Sequence, residues 1–284
     1  MKMHLNMLCG ALVIAFAGPV SATTWGLQGT PDPGVKSINA VSNSDGTSTA
    51  SNAAAQKIEA AAWVSSYGGI NNADNPGSGR SDIDLTEGSS PEHAIDNNQR
   101  YDMVLVGFDS LVHLTSLALS WYNYDSDFTV MAYTGSGKVD PNPFTNGDLI
   151  GKTFSNSMSG WTVVGSYGGP TTNGTAFSNS SNPSVRQITY QPANANLYSS
   201  YWLIGAYNPL VGGPVTGSPN MGTNSADNYS GYDYIKLKSV AGDVCPNTNP
   251  GCGSGGGNVS EPGSLALLGL GLLGMMRLRK ARQA

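Results

Sequence analysis

The stretch DMVLVGFDSLVHLTSLALSWYNYDSDFTVMAY, residues 102–133, decides the fold class. Its first part, residues 103–108, is a continuous apolar run between two aspartates, which is typical of a strand buried on both faces. Alternation of apolar and polar residues resumes at Val112 and changes phase before Leu117. A phase shift within a strand pattern predicts a β-bulge, here near residues 115–116.

Further strand candidates follow along the chain, each a short apolar run bounded by turn-forming residues. They lie at residues 128–133, 185–190, 201–207 and 232–240, with weaker candidates at 149–154 and 161–167. Upstream, residues 24–49 are rich in Ser, Thr and Asn with few apolar anchors. That composition predicts a surface loop or an edge segment.

One segment favours a helix. Residues 52–63 read NAAAQKIEAAAW, and Ala is the best helix former, while Ser51 or Asn52 can cap the first turn. The remaining elements are strands in succession, separated by turn-rich stretches. The sequence therefore predicts a mainly β protein, an antiparallel, jelly-roll-like β-sandwich with one short helix, over residues 23–244.

The N-terminal segment, residues 1–22, has the features of a secretory signal peptide. Lys2 supplies a positive end, residues 5–16 form an apolar core, and the small residues before Thr23 predict cleavage between Ala22 and Thr23. The sequence thus predicts an exported protein with an N-terminal signal helix that is removed.

Residues 245–259 predict a linker. Cys245 and Cys252 flank a tight Pro- and Gly-containing loop, and in an oxidising compartment such a pair is most simply a disulfide. The run GSGGG at residues 253–257 is typical of a flexible connection.

The C-terminal segment, residues 260–284, has three parts: the triplet Ser260-Glu261-Pro262, an uncharged apolar run at residues 263–276, and a basic tail. The tail contains Arg277, Arg279, Lys280 and Arg282. As a helix the apolar run is about 21 Å long, short for a hydrocarbon core of roughly 30 Å. We expect a marginal membrane helix with its basic tail in the cytoplasm.

Charge excludes one class of partner. Only 12% of the residues are charged, and residues 23–262 hold nine basic and nineteen acidic side chains, a formal net charge of -10. Such a domain repels the phosphate backbone, so we expect no nucleic-acid binding.

Two site hypotheses concern residues 96–127. Asp125 and Asp127, with Asp96, offer the oxygen ligands that calcium prefers, so one interpretation is a calcium site. The other is an ordinary hairpin turn, since no DxDxDG loop is present. Tyr122 and Tyr124 either stack on sugar rings or are ordinary cross-strand residues.

Catalytic motifs are absent from the sequence. No GxSxG, HExxH, Walker or Rossmann pattern occurs, and the mature region holds only two histidines. We therefore expect no enzymatic activity. A glycosidase with a carboxylate pair stays open, because its two acids need no fixed spacing.

The segment SEPGSLALLGLGLLGMMRLRKAR resembles the PEP-CTERM sorting signal of Gram-negative bacteria, with Ser260 in place of the motif's first proline. The resemblance implies recognition and cleavage by exosortase, a membrane-embedded, transpeptidase-like enzyme. The segments GSSPEHAIDNN, VLVGFD, VHLTSLALSW and DSDFTVMAYTG resemble exosortase-dependent surface proteins, and more weakly galactose-binding-like jelly rolls. The first implies a surface protein, the second carbohydrate binding.

These observations predict an exported cell-surface or extracellular-matrix protein with a structural or adhesive role. The alternatives are a membrane-anchored carbohydrate-binding module and a secreted glycan hydrolase. The expected partners are exosortase, the membrane through the C-terminal helix, and exopolysaccharide. No cofactor is expected apart from the calcium interpretation.

Overall fold

The computed structural model describes residues 22–45, 56–71, 93–98, 100–135, 142–168, 184–219 and 232–246. These residues hold twelve strands, a short 3-10 turn at Pro192–Asn194 and no α-helix. The strands are β1 (Thr23–Gly26), β2 (Val35–Asp45), β3 (Lys57–Val64), β4 (Gly69–Asn71), β5 (Ile95–Asp96), β6 (Asp102–Tyr124), β7 (Phe128–Tyr133), β8 (Trp161–Tyr167), β9 (Ser184–Gln187), β10 (Ser199–Ala206), β11 (Val215–Thr216) and β12 (Asp233–Val244). The predicted mainly β class is confirmed.

The strands form one large sheet in the order β11-β8-β7-β10-β6-β2-β3-β4. Off this path, β12 pairs with β1, β5 and β6, and β9 pairs with β6. Among the named strands only β8 and β11 run parallel. The sheet is therefore continuous and mostly antiparallel, and the two separate sheets of the expected jelly-roll sandwich are not confirmed.

The sheet is organised around β6, which is 23 residues long. Its first arm, residues 102–112, pairs with β2 and β10, and its second arm, residues 112–124, pairs with β12. Tyr207 follows the end of β10, and Asp127 lies three residues after the end of β6. The backbone N–H of Tyr207 donates to the carbonyl of Asp127 at 3.1 Å. Since β10 ends beside the start of β6, this contact brings the two ends of β6 together, and β6 must bend near its middle.

The second arm carries the predicted bulge. Ser116 pairs with Ala241 and Leu114 pairs with Gly242, so Thr115 is an extra residue on β6. The expected β-bulge near residues 115–116 is confirmed. The extra residue reverses which side chains of β6 face the core, and this reversal is the shift of apolar phase seen in the sequence.

Side chains of the first arm alternate between two buried clusters. Val104 and Val106 belong to the larger cluster, and Met103 and Leu105 to the smaller one. Burial on both faces is thus confirmed for this run. The larger cluster also contains apolar residues of the second arm and of β12, so it fills the space between the two arms of β6.

The structure contradicts the predicted helix at residues 52–63 over the part that it describes. Lys57–Val64 is strand β3, which lies between β2 and β4. Ile58 enters the smaller cluster and Trp63 packs on the larger one. Burial on opposite faces, with a hydrogen-bonded neighbour on each side, outweighs the helix preference of Ala, which is less than about 1 kcal/mol per residue. Residues 52–55 lie outside the described residues.

Two further expectations are corrected. The region expected to be a loop or an edge contains β2, which lies between β6 and β3 inside the sheet. Its buried polar residues, such as Asn43, form hydrogen bonds that the composition hides. The weak candidate at residues 149–154 is turn and coil, whereas the one at 161–167 is strand β8.

The search for a membrane-spanning helix, confined to the described residues, finds none that is long and apolar enough. The predicted signal helix and the C-terminal helix, together with the linker beyond residue 246, lie outside these residues.

Candidate functional site: a buried carboxylate cluster

Three aspartates meet where β6 ends and β12 begins. Asp125 and Asp127 belong to the connection from β6 to β7, and Asp233 is the first residue of β12. The pairing of Asp233 with Tyr124 and the bridge between Asp125 and Asp233 bring them together. One carboxylate oxygen from each aspartate lies within 4.8 Å of the others.

All three carboxylates are buried, with exposed fractions of 5% for Asp125, 1% for Asp127 and 0% for Asp233. Both oxygens of Asp233 accept hydrogen bonds, Oδ1 from the backbone N–H of Asp127 at 2.9 Å and Oδ2 from Nδ2 of Asn97 at 2.6 Å. The Oδ1 of Asn97 in turn accepts the backbone N–H of Asp233 at 2.9 Å. Asn97 therefore fixes the position of Asp233 in two ways.

Burial dominates the electrostatics of this cluster. It raises the pKa of Asp233 well above the usual aspartate range, the charges of Asp127 and Asp125 raise that pKa further, and the hydrogen bonds from Asp127 and Asn97 lower it. Burial also raises the pKa of Asp125, against hydrogen bonds with Ser126 and Asp127 that lower it. The cluster therefore favours species that neutralise negative charge, either protons or a hard cation.

One cation lies beside the cluster. Arg186 on β9 donates from Nη2 to Oγ of Ser126 at 3.0 Å. Burial lowers the pKa of Arg186, while its interactions with Tyr122 and Asp127 act in the opposite direction. If all three carboxylates are ionised, the charge of Arg186 alone does not balance theirs.

Of the predicted calcium ligands, the structure brings together Asp125 and Asp127 but not Asp96. Oδ1 of Asp96 accepts the backbone N–H of Asn98 at 2.9 Å, and Asp96 lies outside the carboxylate cluster. The third carboxylate is Asp233, which the sequence reasoning missed because it lies more than a hundred residues downstream. Only the pairing of β12 with β6 reveals it.

The hairpin-turn interpretation of residues 125–127 is wrong. A hairpin joins neighbouring antiparallel strands, but β10 lies between β6 and β7 in the sheet. The connection therefore crosses the end of β10, and Tyr207 bonds to it there.

Of the two predicted sugar-stacking tyrosines, the structure describes the side chain of Tyr122. Tyr122 is half-buried against the larger cluster, and the guanidinium of Arg186 lies 5.4 Å from its ring centroid. The side chain of Tyr124 lies outside the described residues. Trp121, the residue before Tyr122, is half-buried beside Lys236. The Nζ of Lys236 lies 4.9 Å from the centroid of a Trp121 ring and 4.4 Å from the centroid of the Tyr67 ring.

The remaining predicted sites lie at the ends of the domain. Thr23, the expected first residue after signal cleavage, begins β1, and Ala22 precedes it. Cys245 follows β12 and is disulfide-bonded. Its predicted partner Cys252 and the seven sorting residues lie outside the described residues, so the pairing with Cys252 stays a prediction.

Comparison with known proteins identifies the C-terminal segment. The profile of the PEP-CTERM protein-sorting motif matches residues 258–280. The chain therefore carries the sorting motif that its C-terminal residues resemble, and this motif indicates an exported protein sorted through exosortase. The match includes Ser260, Glu261, Pro262 and three basic residues of the tail, with Arg282 beyond it. No curated protein and no solved structure matches the chain.

Proposed function

We propose that the chain is a bacterial cell-surface or extracellular-matrix protein that exosortase cleaves near Glu261 and Pro262. In this proposal the β domain has a structural or adhesive role without catalysis. The observation that carries it is the sorting motif at residues 258–280. Export requires a signal peptide, and the N-terminal 22 residues have the composition of one.

The apolar run supports a temporary anchor. At fourteen residues it is marginal for a permanent span, and its glycines at positions 269, 271 and 274 weaken it as a helix. A short anchor is sufficient to hold the precursor until cleavage. After cleavage, the acidic domain leaves with neither terminal membrane segment.

The test is the intact mass of the protein from two hosts that differ only in an active exosortase. We expect the chain from the exosortase host to lack the tail, and the chain from the other host to end at Ala284. Pro262→Ala should preserve Ala284 in both hosts, whereas Pro246→Ala, an exposed proline outside the motif, should be processed normally. A wild-type chain that keeps Ala284 beside active exosortase contradicts the proposal.

A carbohydrate-binding role is the second candidate, favoured by the half-buried rings of Tyr67 and Trp121 around Lys236. Aromatic rings stack on sugars, and an ammonium group donates hydrogen bonds to sugar hydroxyls, so a polysaccharide fits this chemistry. On a glycan array, we expect Trp121→Ala to weaken binding at least tenfold and Tyr122→Ala to weaken it far less. An array without any bound glycan leaves only the structural role.

A secreted glycan hydrolase is the third alternative and stays a prediction. The carboxylates of Asp125, Asp127 and Asp233 are buried, so this cluster does not favour attack on a glycosidic bond in solution.

A further inference from the structure

The first and last strands of the domain pair with each other. β1 lies antiparallel to β12, with Thr23 opposite Gly242 and Gly26 opposite Ser239. The start of β1 is therefore at the same end of the molecule as the finish of β12. Cys245 continues along β6 there, since its backbone N–H donates to the carbonyl of Leu111 at 2.8 Å.

This end coincides with the bend of β6. Val112, at the junction of the two arms, pairs with Val244 at the end of β12 and with Ser199 at the start of β10. His113 donates a hydrogen bond from Nδ1 to the carbonyl of Leu197 at 2.8 Å. We call this the tether end, because the predicted signal peptide precedes it and the sorting segment follows it.

The two chain exits are close together. Thr23 is opposite Gly242, three residues before Cys245, which corresponds to roughly 10 Å along the strand and about 5 Å across it. Before processing, both predicted membrane segments therefore leave the folded domain at nearly the same point.

The carboxylate cluster lies at the opposite end. Asp233 begins the 12-residue strand β12, so it is roughly 35 Å from the last residue of that strand. Pro209 is exposed near this end, two residues after Tyr207, which bonds to Asp127. We call this the acidic end.

From this placement we propose that the precursor stands on the membrane with its tether end inward and its acidic end outward. The inference rests on the proposed sorting function. Within the predicted linker, residues 245–259, the predicted Cys245–Cys252 disulfide leaves only residues 253–259 as a free connection to the sorting segment, and so short a connection restricts inversion of the domain.

The same geometry lets the domain fold before either membrane segment is removed. β1 needs to approach only the end of β12, and both exits already lie together. In the proposed orientation, the sorting segment stays beside the membrane and the acidic end faces away from it.

The experiment uses the anchored chain from a host without exosortase, with the signal peptide removed by that host, reconstituted in vesicles of phosphatidylethanolamine and phosphatidylglycerol. A donor fluorophore is attached at Asn196→Cys or at Pro209→Cys, with an acceptor on the lipid headgroups. Both positions are exposed, they flank the same strand β10, and Asn196 adjoins Leu197 at the tether end.

We expect at least twofold higher energy transfer from position 196 than from position 209, with equal melting temperatures for the two variants. Equal or reversed transfer in a chain that floats with the vesicles overturns the orientation and leaves the sorting proposal standing. A chain that does not float with the vesicles overturns the proposed anchoring, and the orientation with it.

Discussion

Asp233 shows how burial competes with hydrogen bonding at a single side chain. Two N–H donors favour its ionised form, yet complete burial and two neighbouring carboxylates raise its pKa. Sequence reasoning selected two of the three aspartates because Asp125 and Asp127 stand together. It included Asp96 and missed Asp233. The pairing of strands determines which aspartates lie close together, and the sequence does not show that pairing.

The raised pKa of Asp233 predicts a pH dependence of stability. In the unfolded chain this carboxyl ionises near pH 4, whereas in the fold it keeps its proton to higher pH. Between these two pKa values the folded state binds more protons, so the free energy of unfolding falls as pH rises, by about 1.4 kcal/mol per pH unit for one proton.

Urea unfolding from pH 4.5 upward, in buffer with EDTA, checks this dependence. Asp233→Asn should flatten the fall, and Asp109→Asn, which changes an exposed aspartate, should leave it unchanged. A slope that persists undiminished in Asp233→Asn assigns the pH dependence to other groups.

The calcium interpretation predicts a second response. At neutral pH, Ca²⁺ should raise the melting temperature by neutralising the cluster, and binding at 100 times the dissociation constant stabilises by about 2.7 kcal/mol. Asp127→Asn should abolish the response, while Asp96→Asn, outside the cluster, should retain it. A melting temperature that does not change with millimolar Ca²⁺ and EDTA refutes the interpretation.

At the scale of elements, periodicity predicted more than propensity did. The burial of residues 103–108 and the bulge at Thr115 were predictable. Each leaves a pattern within a single strand, the first as an apolar run and the second as a phase shift before Leu117. The strand β3 in the Ala-rich segment was not predictable, because Ala is tolerated in helices and in strands. Pairing with β2 and β4 makes this segment a strand. The bend of β6 has no local signal either, since it depends on contacts between its distant ends.

Strand β1 is short, but its side chains are part of the core. Trp25 is 4% exposed and meets the ring of Phe108 edge-on, with centroids 5.0 Å apart. We expect Trp25→Ala to lower the free energy of unfolding by about 3 to 5 kcal/mol. Thr24→Ala, at the exposed neighbouring position, should change it by less than about 0.5 kcal/mol. Equal effects of the two substitutions in chemical denaturation contradict the role of β1.

At the scale of the whole molecule, the sequence predicted a β domain between two targeting segments, and the described strands fit between them. The pairing of the first strand with the last strand was not predictable, because the residue pattern of a strand does not indicate which other strand it pairs with. It follows from the antiparallel register of β1 and β12.

The folded domain should therefore be independent of the sorting segment. A chain of residues 23–253 contains every described strand and both mature cysteines, so we expect its melting temperature to match that of the anchored chain. A chain ending at residue 232 lacks β12 and should not fold. Differential scanning fluorimetry in the same detergent compares the three chains, and a large loss in 23–253 contradicts independence.

The long pairing of β12 with β6 also determines how the protein carries a pulling force. When the C-terminal tether is held and an attachment at the acidic end is pulled, the load is directed along the axis of β12. The hydrogen bonds between β12 and β6, from Asp233 to Val244, are then loaded together in shear, and they do not open one after another. In the orientation that we propose for the precursor, the domain would resist extension along the direction in which an attached matrix pulls.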